Sequence, residues 1–152
     1  MMPNRKAAKM AEIEIHYKPK VSLRRLPSVS CSQDTVEYLR SVWSPHIDRV
    51  EEFMVLCLNR ANKVLGFSRI GQGGISGTVA DPKIIFQVAL KANASSIILA
   101  HNHPSGNCKP STNDVELTKK IQSAGKFLDL TVLDHIILTS DGYLSFADTG
   151  FI

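Results

Sequence analysis

The stretch IILAHNHPSG, residues 97–106, decides how this sequence is interpreted. Its short apolar run indicates a buried strand, and the strand ends in two histidines separated by one residue. Side chains at positions i and i+2 of an extended segment point the same way, so His101 and His103 could both reach one metal ion. The pair alone is equally consistent with two unrelated polar residues at a strand end. Pro104 and Gly106 indicate that a loop follows.

Ser111-Thr112-Asn113-Asp114 follows that loop and is typical of a helix start. Ser111 would be the N-cap and Asp114 the acidic third residue, close to a capping box. Asp114 could also supply a carboxylate oxygen to a metal ion, and capping would fix the geometry of the same residue. Two histidines and one carboxylate leave one tetrahedral position for water, which is typical of catalytic zinc sites. Zinc there would lower the pKa of the water toward ~7 and polarise a carbonyl group.

A zinc hydrolase also needs a carboxylate that accepts a proton from the water and passes it to the leaving group. Glu51 and Glu52 are the best candidates because they begin an apolar strand, residues 51–58, that we expect in the same sheet. Strand alternation puts them on opposite faces, so only one can point toward the site. Both could instead be solvated charges. Glu116 is a weaker alternative, since we expect it on the solvent side of its helix.

Hydrophobic periodicity along the chain predicts an α/β sandwich with a mixed sheet. The expected elements are a helix capped by Ser32 that ends before Pro45, a hairpin of strands at 51–58 and 63–70, a glycine-rich loop at 71–74, a short strand at 78–79, a helix capped by Asp81 that ends near Asn93, a strand at 96–101, a helix from about Thr112, a strand at 130–138 and a last strand at 143–146. The helix after Asp81 is expected to bury Ile84, Ile85, Val88 and Ala89.

The chain has 152 residues, which suits a single domain, and a net charge of +4. Basic residues are concentrated before residue 30, so we predict a basic N-terminal arm over residues 1–32 and a domain over residues 33–152. The alternation in residues 12–17 indicates an edge strand within the arm. The arm is either a solvated segment or a segment that is weakly attracted to nucleic acid or another polyanion. No basic motif with interleaved aromatic residues supports the second interpretation.

The three cysteines are widely spaced and form no CxxC pair, which fits a reducing compartment. No apolar run approaches the ~20 residues of a membrane span, and no secretory signal is visible. We therefore expect a cytoplasmic protein without membrane contact. Cys108 is interpreted as a loop residue. His135 is either a positioning partner of a ligand or a satisfied core histidine, and we expect the second.

Taken together, His101-x-His103, seven intervening residues and Ser111-x-x-Asp114 reproduce the H-x-H-x7-S-x-x-D signature. The chain therefore resembles the JAMM (MPN-type) zinc metalloproteases and, more narrowly, their bacterial RadC-like branch. The resemblance covers roughly residues 35–152. The matching segments are Glu51-x-Phe53, residues 99–106, Pro110-Ser111-x-x-Asp114 and residues 133–137.

The resemblance implies a cytidine-deaminase-like three-layer sandwich, with a mixed sheet flanked by helices. It implies zinc held by His101, His103 and Asp114 together with a water, and a Ser111 hydroxyl that bonds the water or the oxyanion. Glu51 would be the general acid and base, in preference to Glu52, because family members read Glu-x-Phe at the strand start. The implied reaction is hydrolysis of a peptide or isopeptide amide bond in a peptide or protein substrate.

Two other functions remain open at the level of the sequence. One is a non-catalytic interaction module that keeps the fold. The other is a DNA-associated accessory module, after the DNA-repair role attached to the RadC family. Full-length members usually carry an N-terminal helix-hairpin-helix region, which we do not expect in the roughly 35 residues before the resemblance.

Overall fold

The computed structural model describes residues 20–73 and 80–152. The edge strand predicted at residues 12–17 and the short strand predicted at 78–79 lie outside the described residues. After a 3-10 turn at Leu23–Arg25, the elements are α1 (Ser32–Val42), β1 (Glu52–Leu58), β2 (Val64–Gln72), α2 (Pro82–Lys91), β3 (Ser96–Asn102), α3 (Thr112–Phe127), β4 (Thr131–Leu138), β5 (Tyr143–Ser145) and α4 (Phe146–Thr149).

The five strands form one sheet in the order β2-β1-β3-β4-β5. The β1–β2 hairpin is antiparallel, and β1 also pairs antiparallel with the central strand β3. The α3 helix connects β3 to β4, which run parallel, and β5 returns antiparallel to β4. The predicted mixed sheet is therefore confirmed. Because β1 and β3 run in opposite directions, the start of β1 lies beside the end of β3.

Helices cover both faces of the sheet and give three layers, which confirms the α/β sandwich. On the α1 side, the core consists of α1 residues and one set of alternating strand residues, including Val36, Leu39, Met54, Leu56, Ile98 and Ile136. On the opposite side, which we call the α3 side, α2 and α3 pack on the other set, including Phe53, Val55, Ile85, Ile97, Leu99 and Ile121. β1 is buried on both faces, as its continuous apolar sequence indicates.

Several element boundaries and one burial prediction differ from the sequence analysis. Gly71 and Gln72 belong to β2, because they pair with Phe53 and Glu52 of β1. The predicted loop therefore begins later than residue 71. Cys31, not Ser32, is the N-cap of α1. Ile84, expected in the core, is 41% exposed.

The C-terminal end also differs from the prediction. Phe146 does not continue the last strand, and instead it begins α4. Ser145 caps this helix by accepting a hydrogen bond from the amide of Asp148, and Phe146 is fully buried. The cap and the burial together turn the chain out of the strand one residue earlier than hydrophobic alternation indicates.

The segment before α1 lies against the β1–β2 hairpin. Leu26 and Val29 are buried, and Ser28 forms an isolated bridge with Lys63. The amide of Val29 donates to the Asn62 carbonyl at 3.0 Å. Among the helices of the described residues, none has the length and apolar character needed to cross a membrane.

Candidate metal centre

The end of β3 presents both histidines on the α3 side of the sheet. His101 pairs with Phe53 of β1, and their rings are stacked with centroids 6.0 Å apart. His103 follows the strand, and its amide donates to the Leu138 carbonyl at 2.8 Å. The i, i+2 spacing therefore brings the two side chains together, with 2.9 Å between their Nε2 atoms.

The first turn of α3 brings Asp114 to the same place. The Ser111 amide donates to Asp114 Oδ2 at 2.7 Å, and the Asp114 amide donates to Ser111 Oγ at 3.1 Å, so both halves of a capping box are present. Asp114 Oδ1 lies 3.3 Å from His101 Nε2, and Oδ2 lies 3.7 Å from His103 Nε2. Over residues 20–73 and 80–152, these three side chains form the one cluster with metal-ligand geometry.

The hydrogen bond of His103 determines which of its nitrogens faces the cluster. Its Nδ1 lies 2.7 Å from the Asn107 carbonyl oxygen. A carbonyl can only accept, so Nδ1 carries a proton and Nε2 is the atom that is directed at His101 and Asp114. Metal-binding histidines commonly use this arrangement, in which the outer N–H bonds a carbonyl.

The electrostatics of the cluster favour one positive charge at its centre. The hydrogen bond to Asp114 raises the pKa of His103 against the opposing effect of burial, and the charge of Glu51 contributes in the same direction. Burial alone would raise the pKa of Asp114, but the contacts of its carboxylate with His101 and His103 outweigh burial and hold that pKa far below its usual range. A cation is therefore well accommodated among these three groups. The donor set of two imidazole nitrogens and a carboxylate fits zinc.

The strand predicted over residues 51–58 begins at Glu52 in the structure, and Glu51 immediately precedes it. Glu52 is on the α1 side and only 5% exposed, and within the described part of the chain its Oε2 has no hydrogen-bond partner. Glu51 has the same parity as Phe53, which faces His101. Continuing the β1–β3 register by two residues places Glu51 opposite His103, in agreement with its effect on the His103 pKa.

The remaining residues singled out in the sequence have distinct positions. Ser111 is exposed, and its hydroxyl oxygen accepts from Asp114. Glu116 is exposed, as predicted. Cys108 Sγ lies 3.6 Å from the Thr139 hydroxyl and is outside the ligand cluster. His135 is fully buried, and its two ring nitrogens are bonded to His101 and Thr118.

Asn102, between the two histidines, was not identified from the sequence. Its side chain is fully buried and points away from the cluster. Oδ1 accepts from the Glu52 amide at 2.7 Å, and Nδ2 donates to the carbonyls of Ile47 and Val50 at 2.7 and 2.9 Å. Asn102 therefore fixes the segment that leads into β1 and carries Glu51. An asparagine at a strand end has many ordinary roles, so the sequence carries no signal for this one.

The fold and the cluster together define a class of protein, an α/β sandwich with a His/His/Asp metal-ligand cluster where its central strand ends. The family model described as RadC-like JAB domain matches residues 29–151. The chain belongs to this family.

Similar bacterial proteins support the assignment. A UPF0758 protein of Flavobacterium johnsoniae is 41% identical over 128 residues, which are 83% of this chain and 54% of the relative. A UPF0758 protein of Porphyromonas gingivalis is 45% identical over 103 residues, or 67% of this chain and 45% of the relative. A third, from Syntrophomonas wolfei, is 37% identical over 133 residues, or 87% and 56%. The chain thus spans about half the length of these relatives.

Proposed function

We propose that this protein is a zinc-dependent hydrolase that cleaves a peptide or isopeptide amide bond in a peptide or protein substrate. The observation that carries the proposal is the convergence of His101, His103 and Asp114 on one point at the end of β3. A bound zinc ion would supply an activated water and a Lewis acid for the amide carbonyl. Membership of the RadC-like JAB domain family supports the same class of chemistry.

Side chains of the protein would carry out the proton transfer and stabilise the oxyanion. The carboxylate of Glu51 would take a proton from the attacking water and return it to the leaving amine nitrogen. The Ser111 hydroxyl, whose oxygen accepts from the Asp114 amide, keeps its own proton and would donate it toward the developing oxyanion. The three cysteines are free thiols, consistent with the reducing cytoplasm in which we propose that the reaction occurs.

Substitution of the two adjacent glutamates tests this division of roles. Glu51→Gln keeps the shape of the side chain but removes the proton acceptor, so we expect hydrolysis to fall by about 100-fold or more. Glu52→Gln is the matched control, since Glu52 faces the α1 side and should leave most activity in place. The measurement is cleavage of peptide and isopeptide-linked lysine libraries by zinc-loaded protein, with zinc content determined for each variant.

Two outcomes would count against the proposal. Full activity in Glu51→Gln, at equal zinc content, would remove Glu51 from the mechanism. A zinc-loaded wild type that cleaves neither kind of bond would favour a non-catalytic interaction module, which the sequence leaves open as an alternative.

A further inference from the structure

A buried chain of hydrogen bonds runs from His101 to the backbone of α3. His101 Nδ1 lies 2.8 Å from His135 Nε2, and His135 Nδ1 lies 2.6 Å from the Thr118 hydroxyl oxygen. The Thr118 hydroxyl in turn lies 2.6 Å from the backbone carbonyl of Asp114. All three side chains are at most 1% exposed. This series of hydrogen bonds therefore begins at one candidate ligand, His101, and ends at the backbone of another, Asp114.

The direction of every bond in this chain follows from its last member. The Asp114 carbonyl can only accept, so the single Thr118 hydroxyl proton points to it. Thr118 can then only accept from His135, and the proton of His135 must be on Nδ1. His135 is fully buried, and its two ring nitrogens are bonded to His101 and Thr118 rather than to a carboxylate, so its ring is neutral. His135 Nε2 is then bare and accepts the Nδ1 proton of His101.

We infer that Thr118 and His135 are positioning residues that hold His101 in the tautomer with a bare Nε2 atom. This inference rests on the proposed function, because the bare Nε2 of His101 is the atom that faces His103 and Asp114. The opposite tautomer would put a proton on Nε2 and prevent coordination. His103 has its tautomer fixed by a neighbouring carbonyl, whereas His101 depends on two further side chains.

Aromatic rings shield these hydrogen bonds from water and fix the plane of the His135 ring. Phe53 contacts both imidazoles, with centroids 6.0 Å from His101 and 5.6 Å from His135. Phe146 also packs against His135, with ring centroids 4.7 Å apart. Without water in contact, the two rings have few alternative partners, and an unsatisfied N–H would be costly. The proton arrangement is therefore determined by Thr118 rather than by solvent.

The first measurement uses the metal-free wild type and needs no variant. Nitrogen chemical shifts of the imidazoles, recorded by NMR at mildly alkaline pH, report which nitrogen of each ring carries the proton. We expect protons on Nδ1 of both His101 and His135. A proton on Nε2 of His101 overturns the inference, whatever the protein does to zinc or to substrates.

The second measurement removes the hydroxyl that orients the chain. Thr118→Val keeps the shape, and we expect zinc affinity, measured by competition with a chelating dye, to fall about 10- to 100-fold. Thr118→Ser restores a hydroxyl and should restore most of the affinity. Thr35→Val is the matched control, because Thr35 is also a buried helical threonine that donates to a carbonyl four residues earlier, on the α1 side.

The outcomes separate this inference from the proposed function. If a folded Thr118→Val variant binds zinc as tightly as the wild type, the positioning role is overturned. The proposed hydrolase function is not contradicted by that result. Loss of affinity in Thr118→Val together with a wild type that binds zinc but cleaves no amide bond supports the positioning role and counts against the hydrolase. If Thr118→Val does not fold, His101 with its proton on Nδ1 and normal zinc affinity in Thr118→Ser support the inference. Protonation of Nε2 overturns it.

Discussion

Asn102 shows, at the scale of single residues, how neighbouring positions at the end of β3 serve different sides of the sheet. His101 and His103 face the α3 side and the ligand cluster, while Asn102 faces the opposite side and binds backbone groups of residues 47–52. The parity of the two histidines could be predicted, because it depends only on strand alternation. The partners of Asn102 could not, because they come from a loop whose path is not encoded locally.

Replacing Asn102 with alanine should destabilise the protein without touching a candidate ligand. The change leaves the Glu52 amide and the carbonyls of Ile47 and Val50 without their buried partners, so we expect a loss of about 3 kcal/mol in the free energy of unfolding. Asn113→Ala, at an exposed position early in α3, is the control. Urea denaturation of the two variants measures the difference. Equal stability would show that the hydrogen bonds of the Asn102 side chain contribute little to the free energy of unfolding.

A bulge in β4 determines, at the scale of elements, which side His135 faces. Val132 packs on the α3 side, but the register between β3 and β4 shifts between Ile97 and Ile98. After the shift Asp134 is opposite Ile98 and His135 is opposite Leu99, so His135 joins the α3 side. Regular alternation from Val132 would have turned His135 away from the site. The sequence predicted the strand but carried no signal for the bulge.

The connection from α3 to β4 also predicts the effect of a substitution. A Cβ atom on Gly125 would collide with the backbone carbonyl of Leu130. Alanine normally stabilises a helix relative to glycine by up to ~1 kcal/mol, but this clash should reverse the sign. We expect Gly125→Ala to lower the free energy of unfolding by about 1–3 kcal/mol.

Gly66→Ala is the control for that prediction, since a Cβ atom there meets nothing within 4 Å. Thermal unfolding of both variants provides the comparison. A Gly125→Ala protein as stable as the wild type would mean that α3 and β4 separate easily at this point.

At the scale of the whole molecule, the site is assembled from segments that are distant in the sequence. The antiparallel pairing of β1 with β3 brings residue 51 near residue 103, and the connection through α3 adds residue 114. The sequence predicted one mixed sheet and the spacing of the candidate ligands. Strand order depends on long-range pairing, which local patterns do not specify, and only the register makes Glu51 rather than Glu52 the carboxylate on the site's side.

Burial of Cys57 at the centre of the sheet predicts how the stability of the whole molecule depends on alkaline pH. Burial raises the pKa of the Cys57 thiol to about 11 from an ordinary value of 9.0. The stabilising contribution of the neutral thiol is fully present below pH 9 and is lost as the pH rises toward 11. The loss should amount to roughly 2–3 kcal/mol.

The comparison is between the wild type and Cys57→Ala, by urea denaturation under reducing conditions. The stability advantage of the wild type should shrink by that amount between pH 9 and pH 11. Cys31→Ala, at an exposed position, serves as the control. A constant difference between wild type and Cys57→Ala over this range would contradict the buried, neutral state of the thiol.

The central claim is that His101, His103 and Asp114 form one metal site, and calorimetric titration of metal-free protein with zinc tests it most directly. We predict about one zinc ion bound per chain, binding abolished in His103→Ala, and unchanged binding in His46→Ala, which alters an exposed histidine away from the cluster. A wild type that binds no zinc, or a His103→Ala variant that binds it as tightly as the wild type, would contradict the account.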